Sequence, residues 1–348
     1  MRFYTHNHKH YCGIDLHARS MYLCILDADG ETLLHRNMKA TPEAFLSAVA
    51  PYRDDLVVGV ECIFTWYWLA DLCADEGIAF VLGHALYMKA IHGGKVKNDK
   101  IDSKKIAVLL RGGTLPQAYV YPKRMRATRD LLRRRNHLTR KRADLLAHIQ
   151  NTASQYNLPP LGTRADRKGE RDSIPAHFPD PVVRRSIELD LSLIAYYDRL
   201  LKPLERDLAL MAKGHEAFAY HLLRSIPGVG RILTLVLLYE IENVDRFPRV
   251  NEFLSYARLV KGQKQSAGKL YGSSGKKIGN VHLKWAFSEA AVLFLRKNPD
   301  GQHFLERLAK KHGKGKALSI LAARLGRTVY VMLKRREPFD QDKFFARG

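Results

Sequence analysis

The sequence has few cysteines, no long apolar run and fewer acidic than basic residues. Its four cysteines, Cys12, Cys24, Cys62 and Cys73, include no CxxC pair, so we expect free, mostly buried thiols rather than a zinc site. No apolar stretch approaches the ~20 residues that span a bilayer, and residues 1–10 lack the apolar core of a signal peptide. We therefore expect a cytoplasmic protein without a membrane partner.

The excess of basic residues is confined to part of the chain. In total, 58 Lys and Arg stand against 35 Asp and Glu, for a formal net charge of +23. Residues 1–110 are nearly neutral, whereas residues 111–348 hold 46 basic and 22 acidic residues. Such an excess predicts a polyanionic partner, for which nucleic acid is the simplest candidate.

The first third of the chain predicts a mixed sheet with helices. Asp29-Gly30 is typical of a hairpin turn within a meander of short strands. The predicted elements are strands at 11–17, 21–27 and 31–38, a helix from residue 41, a strand at 56–61, a helix at 65–76, a strand at 78–82 and a helix at 102–111. This order is the plan of a ribonuclease-H-like domain, so the predicted fold class is α/β plus α.

The remainder of the chain predicts mainly helices. Residues 123–150 hold ten basic and two acidic residues with a leucine every seventh position, which indicates one long basic helix. A second helix with an apolar seam is predicted at 182–213, so the two suggest an antiparallel coiled coil or a dimer arm. The predicted domains are residues 1–122, 123–214 and 215–348.

Four acidic residues stand at chemically informative places. Asp15 lies in the middle of the first strand, Glu61 ends a buried strand, and Asp99 and Asp102 share one face at the start of a helix. Each alone is equally well explained as a solvent-facing or helix-capping carboxylate. Together they match the order of a two-metal phosphoryl-transfer site, for which Mg²⁺ or Mn²⁺ is the expected ion. The neighbouring cations that would hold a phosphate backbone are Lys97, Lys100, Lys104 and Lys105.

Two glycine-rich segments are candidate phosphate-binding elements. Gly228 and Gly230 bound a turn before a helix, where backbone N–H groups could bind phosphate, although a plain turn fits equally well. Residues 261–280 predict a polar loop, which fits a solvated linker or a phosphate-binding loop. Its candidate nucleophile is Ser266, with Ser273 and Ser274 as rivals. Its candidate phosphate-binding cations are Lys264, Lys269, Lys276 and Lys277.

These motifs together resemble the IS110 family of transposases, also called DEDD transposases. The resemblance rests on segments at 12–17, 58–68, 97–107, 225–230 and 266–280. It implies a RuvC-like N-terminal domain and a helical C-terminal transposase domain that contains the serine. The four acidic residues would bind metal, and Ser266 would form a phosphoserine link to DNA. This chain has Gln-Ser-Ala-Gly where many members show Ser-Ser-Gly-Gly.

The resemblance also implies partners for the basic surfaces. They are donor and target DNA, a structured guide (bridge) RNA, and further copies of the chain in a dimer or tetramer. The basic-helix residues assigned to nucleic acid are Arg133, Arg134, Arg135, Arg140, Lys141 and Arg142. Two other functions fit the sequence: a RuvC-like nuclease that uses water as nucleophile, and a non-catalytic nucleic-acid-binding protein.

Overall fold

A computed structural model describes residues 2–91, 98–162, 167–274 and 278–346. For residues 90, 168, 263–265, 270–271 and 273–274 it describes the backbone alone. The chain forms two compact units, Met1–Lys123 and Arg124–Gly348. We describe each unit by itself.

The first unit is built on a five-stranded mixed sheet. Its strands are β1 (His10–Leu16), β2 (Ser20–Asp27), β3 (Thr32–Lys39), β4 (Leu56–Glu61) and β5 (Ala79–Gly83). The strand order is β3-β2-β1-β4-β5. The first three strands pair antiparallel, and β4 and β5 continue the sheet in parallel with β1. The predicted meander and the two later strands are therefore confirmed.

Helices cover both faces of this sheet. They are α1 (Pro42–Val49), α2 (Tyr67–Asp75), α3 (Ala85–Ile91) and α4 (Asp99–Arg111). One face buries Ile14 and Val60 against Phe45 and Leu69, whereas the other buries Tyr11 and Val57 against α4. Such two-sided burial explains why the sequence of β4 is a nearly continuous apolar run. The sequence did not predict α3, which is short and follows β5 directly.

The first unit also holds all four cysteines as free thiols. Cys12, Cys24 and Cys73 are buried, as expected, while Cys62 is exposed. Burial raises the pKa of Cys73 to about 12, so this thiol stays protonated and behaves as an apolar core side chain.

The second unit is mainly helical. Its helices are α5 (Lys123–Gln155), α6 (Pro181–Arg224), α7 (Arg231–Ile241), α8 (Val250–Tyr256), α9 (Val281–Phe294), α10 (Pro299–His312), α11 (Lys314–Arg335) and α12 (Gln341–Ala346). Lys123, the first residue of α5, belongs to the first unit by its packing. Helices α7 and α9 are rich in apolar residues, and their buried side chains include Leu235 and Phe287.

Helices α5 and α6 run antiparallel, as their side-chain pairs show. Successive acidic partners step backward along α6 as the basic residues advance along α5. The pairs are Arg124–Glu216, Arg135–Glu205, Arg142–Asp198 and His148–Asp190. Both helices are longer than predicted, because α5 extends to residue 155 and α6 to residue 224. Glu216 has a non-helical backbone, with φ −151° and ψ 67°, which marks a kink within α6.

The polar segment 262–274 forms a β-hairpin, so the prediction of an irregular loop there is wrong. Strand β6 (Gly262–Ser266) pairs antiparallel with β7 (Lys269–Ser274). The two connecting residues, Ala267 and Gly268, both have positive φ, 47° and 77°. Such a turn suits the twist of a two-residue hairpin. The composition predicted a loop because neither strand has an apolar face. The two strands nevertheless pair through their backbones on either side of the Ala267-Gly268 turn.

None of the helices in the described part of the chain combines the length and apolar character that crossing a bilayer requires.

Candidate functional site

Asp15 and Glu61 lie side by side at the ends of neighbouring parallel strands. The register pairs Ile14 on β1 with Val60 on β4, and each acidic residue comes one position later. Because residues in register on parallel strands face the same side, both carboxylates lie on the face opposite Ile14. Asp15 is the last but one residue of β1 rather than its centre, and it lies on the strand adjacent to the one that ends at Glu61.

Helix α4 lies on that same face and contributes the other two acidic residues. Gly13 precedes Asp15 by two positions, and a Cβ there would lie 2.3 Å from the Ala107 N and Ser103 O atoms of α4. The helix therefore packs directly on the β1 backbone beside Asp15. Its cap is Asn98, whose side-chain oxygen accepts the Ile101 N–H at 2.8 Å. Asp99 and Asp102 both fall in the first turn of the helix.

The structure brings Asp15 and Asp99 together around a residue that sequence reasoning did not assign to the site. His17 Nε2 lies 3.6 Å from Asp15 Oδ2 and 3.4 Å from Asp99 Oδ2. The three ligand atoms all lie within 4.8 Å of one another, which suits a shared cation. The available signal was the spacing of two between Asp15 and His17, which puts both on one face near the strand end.

Two of the four predicted acidic residues, Glu61 and Asp102, are not part of this group, and their role in the site stays a prediction. Among the described residues, the set with all ligand atoms within 4.8 Å comprises Asp15, His17 and Asp99 alone. Glu61 lies on the adjacent strand, and the Asp102 Oδ1 atom accepts from Lys105 Nζ at 3.4 Å. We call Asp15, His17, Glu61, Asp99 and Asp102 the carboxylate site.

Basic side chains lie beside the carboxylate site on α4. Lys100, Lys104 and Lys105 line a cavity of about 470 Å³, which His35 of β3 also borders. Burial lowers the pKa of His35, and the nearby lysine charges lower it further. The hydrogen bond between the His35 Nε2 atom and the Lys100 carbonyl oxygen, at 2.9 Å, opposes this shift without reversing it. The fourth predicted cation, Lys97, lies outside the described residues.

Ser266 lies at the end of β6, beside the hairpin turn. It is exposed, and its backbone pairs with Lys269, which is also exposed. The rivals Ser273 and Ser274 pair with Gln263 and Gly262 on the opposite strand end. The hairpin therefore separates Ser266 from the other two serines along its length. Lys264 lies on β6, where the structure describes its backbone alone, and Lys276 and Lys277 lie outside the described residues.

The turn at 227–230 leads into α7, as predicted. Gly228 has φ +79°, and a Cβ there would lie 2.4 Å from the Leu293 carbonyl carbon of α9. Packing of two helices thus requires glycine at this position. Gly230 is the N-cap of α7 and has open space around its Cα, so a ligand could approach the first N–H groups there.

The basic helix α5 divides its cations between the protein interior and its surface. Arg133 bonds Glu240, while Arg135 and Arg142 pair with Glu205 and Asp198 on α6. These three guanidinium groups hold the helices together.

The other predicted cations of α5 lie on its surface. The Lys141 Nζ atom lies 3.7 Å from Asp144, within its own helix. Arg134 and Arg140 are exposed, and no acidic partner is found for either among the described residues. Three of the six cations predicted to bind nucleic acid thus have an acidic partner on another helix, and the assignment of all six to nucleic acid stays a prediction.

A buried carboxylate anchors the segment that follows the serine hairpin. Glu240 is 1% exposed and accepts hydrogen bonds from Arg129, Arg133 and Asn280. Burial alone would raise the pKa of Glu240, but the Arg133 hydrogen bond, both arginine charges and the Asn280 hydrogen bond lower it to about 2. Asn280 also caps α9, since its side-chain oxygen accepts the His282 and Leu283 N–H groups.

Comparisons with known proteins agree on one family. A model described as "Transposase IS116/IS110/IS902 family" matches residues 220–306, and a DEDD transposase model of the IS110 group, described as "Transposase", matches residues 12–158. The chain is also similar to "Transposase for insertion sequence element IS1111A" of Coxiella burnetii (strain RSA 493 / Nine Mile phase I). The two are 24% identical over 337 residues, which cover 94% of this chain and 90% of that relative.

The match at 12–158 contains the four predicted acidic residues, and the match at 220–306 contains the turn, the hairpin and Ser266. Transposases recombine DNA, so DNA is the substrate expected of such an enzyme. The chain belongs to the IS110 family of transposases.

Proposed function

We propose that the protein is an RNA-guided DNA recombinase that cuts and rejoins strands through a phosphoserine intermediate. The observation that carries the proposal is the meeting of Asp15, His17 and Asp99 within 4.8 Å, with Glu61 on the adjacent strand and the same sheet face. This arrangement concentrates negative charge where a cation and a phosphate could be held together.

The architecture around the site supports a RuvC-like assignment. A meander of three antiparallel strands is followed by two parallel strands, and a helix crosses the sheet at its central strand. The carboxylates come from the first strand, the fourth strand and that helix. This is the plan expected of a ribonuclease-H-like nuclease domain.

The donor set of the carboxylate site fits a divalent cation. Asp15 and Asp99 offer oxygen ligands and His17 a nitrogen ligand, with Glu61 beside Asp15 and Asp102 one helical turn from Asp99. Hard oxygen ligands favour Mg²⁺ or Mn²⁺. A bound cation supplies Lewis-acid stabilisation of the negative charge that develops on a phosphate.

Ser266 supplies the attacking oxygen in this proposal. Its hydroxyl loses a proton, its oxygen bonds to the phosphorus, and the bond from phosphorus to the departing DNA oxygen breaks. That oxygen takes up a proton, and the phosphate stays esterified to the serine. A DNA hydroxyl later reverses these changes and frees Ser266. The exposed Lys269, paired with Ser266, is placed to offset charge on the phosphate.

The basic surfaces are proposed to bind the guide RNA and the two DNA partners. Arg134 and Arg140 are exposed on α5, and exposed cations grip phosphates without reading sequence. We further propose that a homo-oligomer, a dimer or tetramer, is the active form. Base pairing by the RNA would then choose the target site.

A covalent adduct tests the proposal. The protein is incubated with Mg²⁺, with the RNA transcribed beside its gene and with end-labelled DNA, then run on denaturing gels. We expect a protein–DNA adduct that is lost in Ser266→Ala and retained in the matched controls Ser273→Ala and Ser274→Ala. An adduct that survives Ser266→Ala would contradict the choice of serine, and free 5′-phosphate ends without any adduct would indicate a nuclease that uses water.

A further inference from the structure

Phe64 is the most exposed of the large apolar side chains in the described residues. Its exposed fraction is 86%, whereas the next, Val182, reaches 77% and lies on a helix of the second unit. An aromatic ring left almost wholly in water contributes little to the stability of the fold. In proteins that bind single-stranded nucleic acid, exposed aromatic rings beside the path of the backbone stack on bases.

The loop that carries Phe64 begins at the carboxylate site. Glu61 is the last residue of β4, and Phe64 follows it by three positions. The Ile63 N–H donates to the Glu61 carbonyl at 2.8 Å, and the Cys62 N–H donates to the Gly83 carbonyl of β5 at 2.8 Å. The entry to the loop is thus fixed by backbone hydrogen bonds on both sides of Glu61.

The exit from the loop is fixed beside Asp15. The Thr65 hydroxyl donates to the carbonyl of Leu16, the residue after Asp15, at 2.9 Å. Trp66 is 6% exposed and packs edge-on against Tyr67 with ring centroids 4.6 Å apart. Phe64 is therefore the outward tip of a turn held at both ends over the two strands that carry Asp15 and Glu61.

We propose that Phe64 stacks on an unpaired nucleobase of the DNA strand held at the carboxylate site. The inference rests on the proposed function, which brings DNA phosphates to that edge of the sheet. Bases beside a phosphate have exposed π-faces once they leave the duplex stack, and aromatic side chains bind such faces without regard to sequence. In this arrangement the lysines of α4 bind the phosphate backbone of the DNA strand, and Phe64 stacks on a base of the same strand.

The high exposure of Phe64 makes the test simple, because its removal takes no contact from the core. The probe is a short DNA duplex with a single unpaired 2-aminopurine, mixed with the full chain and Ca²⁺ to limit cleavage. Stacking on an aromatic ring quenches the fluorescence of this base. We expect quenching by the wild type and by Phe64→Trp, and none by Phe64→Ala.

Affinity gives a second readout with a matched control. Loss of one stacked base weakens binding by roughly tenfold to a hundredfold, so Phe64→Ala should bind the probe that much less tightly. Leu33→Ala is the control, since Leu33 is 40% exposed on β3 of the same sheet. Leu33 lies near the Tyr11 end of β1, away from Asp15. Equal quenching and affinity for Phe64→Ala and Leu33→Ala would overturn the proposal.

A separate titration distinguishes this inference from the proposed function. Mn²⁺ binding is measured by calorimetry for the wild type, Phe64→Ala and Asp15→Asn without DNA. We expect Phe64→Ala to bind Mn²⁺ as the wild type does and Asp15→Asn to bind it less tightly. Unchanged affinity in Asp15→Asn would reject the metal site while Phe64-dependent quenching still stands. Normal metal binding without such quenching would reject the role of Phe64 alone.

Discussion

At the scale of single residues, the buried and the exposed charges of this protein have different surroundings. Glu240 is enclosed, and its carboxylate is shared by two arginines of α5 and by the amide of Asn280. A buried charge is stable in this setting only while every partner is present. By contrast, the side chains of Asp99 and His17 are half exposed, with 55% and 48% of each accessible. Accessible ligands of this kind remain available to an incoming cation or phosphate.

Glu240 predicts a specific dependence of stability on pH. Its pKa is lowered from 4.5 to about 2, so its contribution to the free energy of unfolding is complete above about pH 4.5 and is lost as pH falls toward 2. Between pH 7 and pH 3 the difference in unfolding free energy between the wild type and Glu240→Gln should shrink by about 2 kcal/mol. Urea unfolding of both proteins at pH 7 and at pH 3 measures this difference in unfolding free energy.

The control for that experiment is Glu289→Gln, because Glu289 is exposed on α9. Its unfolding free energy should stay close to that of the wild type at both pH values. A constant difference between the wild type and Glu240→Gln would show that Glu240 has an ordinary pKa in the folded protein.

At the scale of secondary-structure elements, the close packing of α4 on β1 determines whether the carboxylate site exists. A methyl group at Gly13 would lie 2.3 Å from backbone atoms of α4, and backbone atoms cannot move aside as a side chain can. We expect Gly13→Ala to push α4 away, to lower the unfolding free energy by about 1–3 kcal/mol, and to weaken Mn²⁺ binding by separating Asp99 from Asp15. Unfolding and calorimetric titrations measure both effects.

Gly59→Ala provides a matched control, because Gly59 pairs with Gly13 in the register of β1 and β4. Its added Cβ would meet side-chain atoms of Ile106, Leu110 and Leu115 at 3.2–3.3 Å, which can shift slightly. The loss of stability should be smaller and the metal affinity nearer that of the wild type. Equal metal affinity in both variants would mean that the position of α4 does not control the site.

The elements were predictable from sequence where the pattern of apolar residues is long and regular. The strands β1, β2 and β4 and the long helices α5 and α6 each repeat their apolar positions over several residues. The hairpin at 262–274 was missed because its strands are polar, so pairing arises from the Ala267-Gly268 turn instead. Helix α3 was missed because it has only seven residues.

The site was predictable in part for a similar reason. The sequence predicted Asp15, Glu61, Asp99 and Asp102, because strand and helix positions follow from local pattern, and the structure brings Asp15 and Asp99 of these four together. The inclusion of His17 depends on where the first turn of α4 meets the end of β1, which is a long-range contact. The anchoring of the Phe64 loop depends in the same way on the Thr65 side chain, which reaches across to β1.

At the scale of the whole molecule, the net charge of +23 overstates the cations that are free for nucleic acid. Arg133, Arg135 and Arg142 are engaged within the second unit, whereas Arg134 and Arg140 point to solvent. Binding to polyanions should therefore depend on particular exposed residues rather than on the overall excess of charge.

The dependence of RNA binding on salt concentration tests this prediction. Removing one cation that binds a phosphate reduces the slope of log Kd against log salt by about 1, so Arg134→Ala combined with Arg140→Ala should lower the slope for the guide RNA by up to about 2. The control is Arg19→Ala with Arg36→Ala, an equal change of charge at exposed positions of the first unit. An equal drop in slope for both pairs would show that net charge alone determines RNA binding.

The ion pairs between α5 and α6 are spaced in a way that bears on the length of these two helices. Arg135 and Arg142 are seven residues apart on α5, and their partners Glu205 and Asp198 are seven apart on α6. Helix α5 has 33 residues, so at ~1.5 Å per residue it is a rod about 50 Å long, longer than one turn of B-DNA at roughly 34–36 Å. A heptad added to both helices between these two pairs would keep the pairs in register while lengthening that span by about 10 Å. The rod can therefore lengthen in steps of one heptad without any change to the contacts at either of its ends.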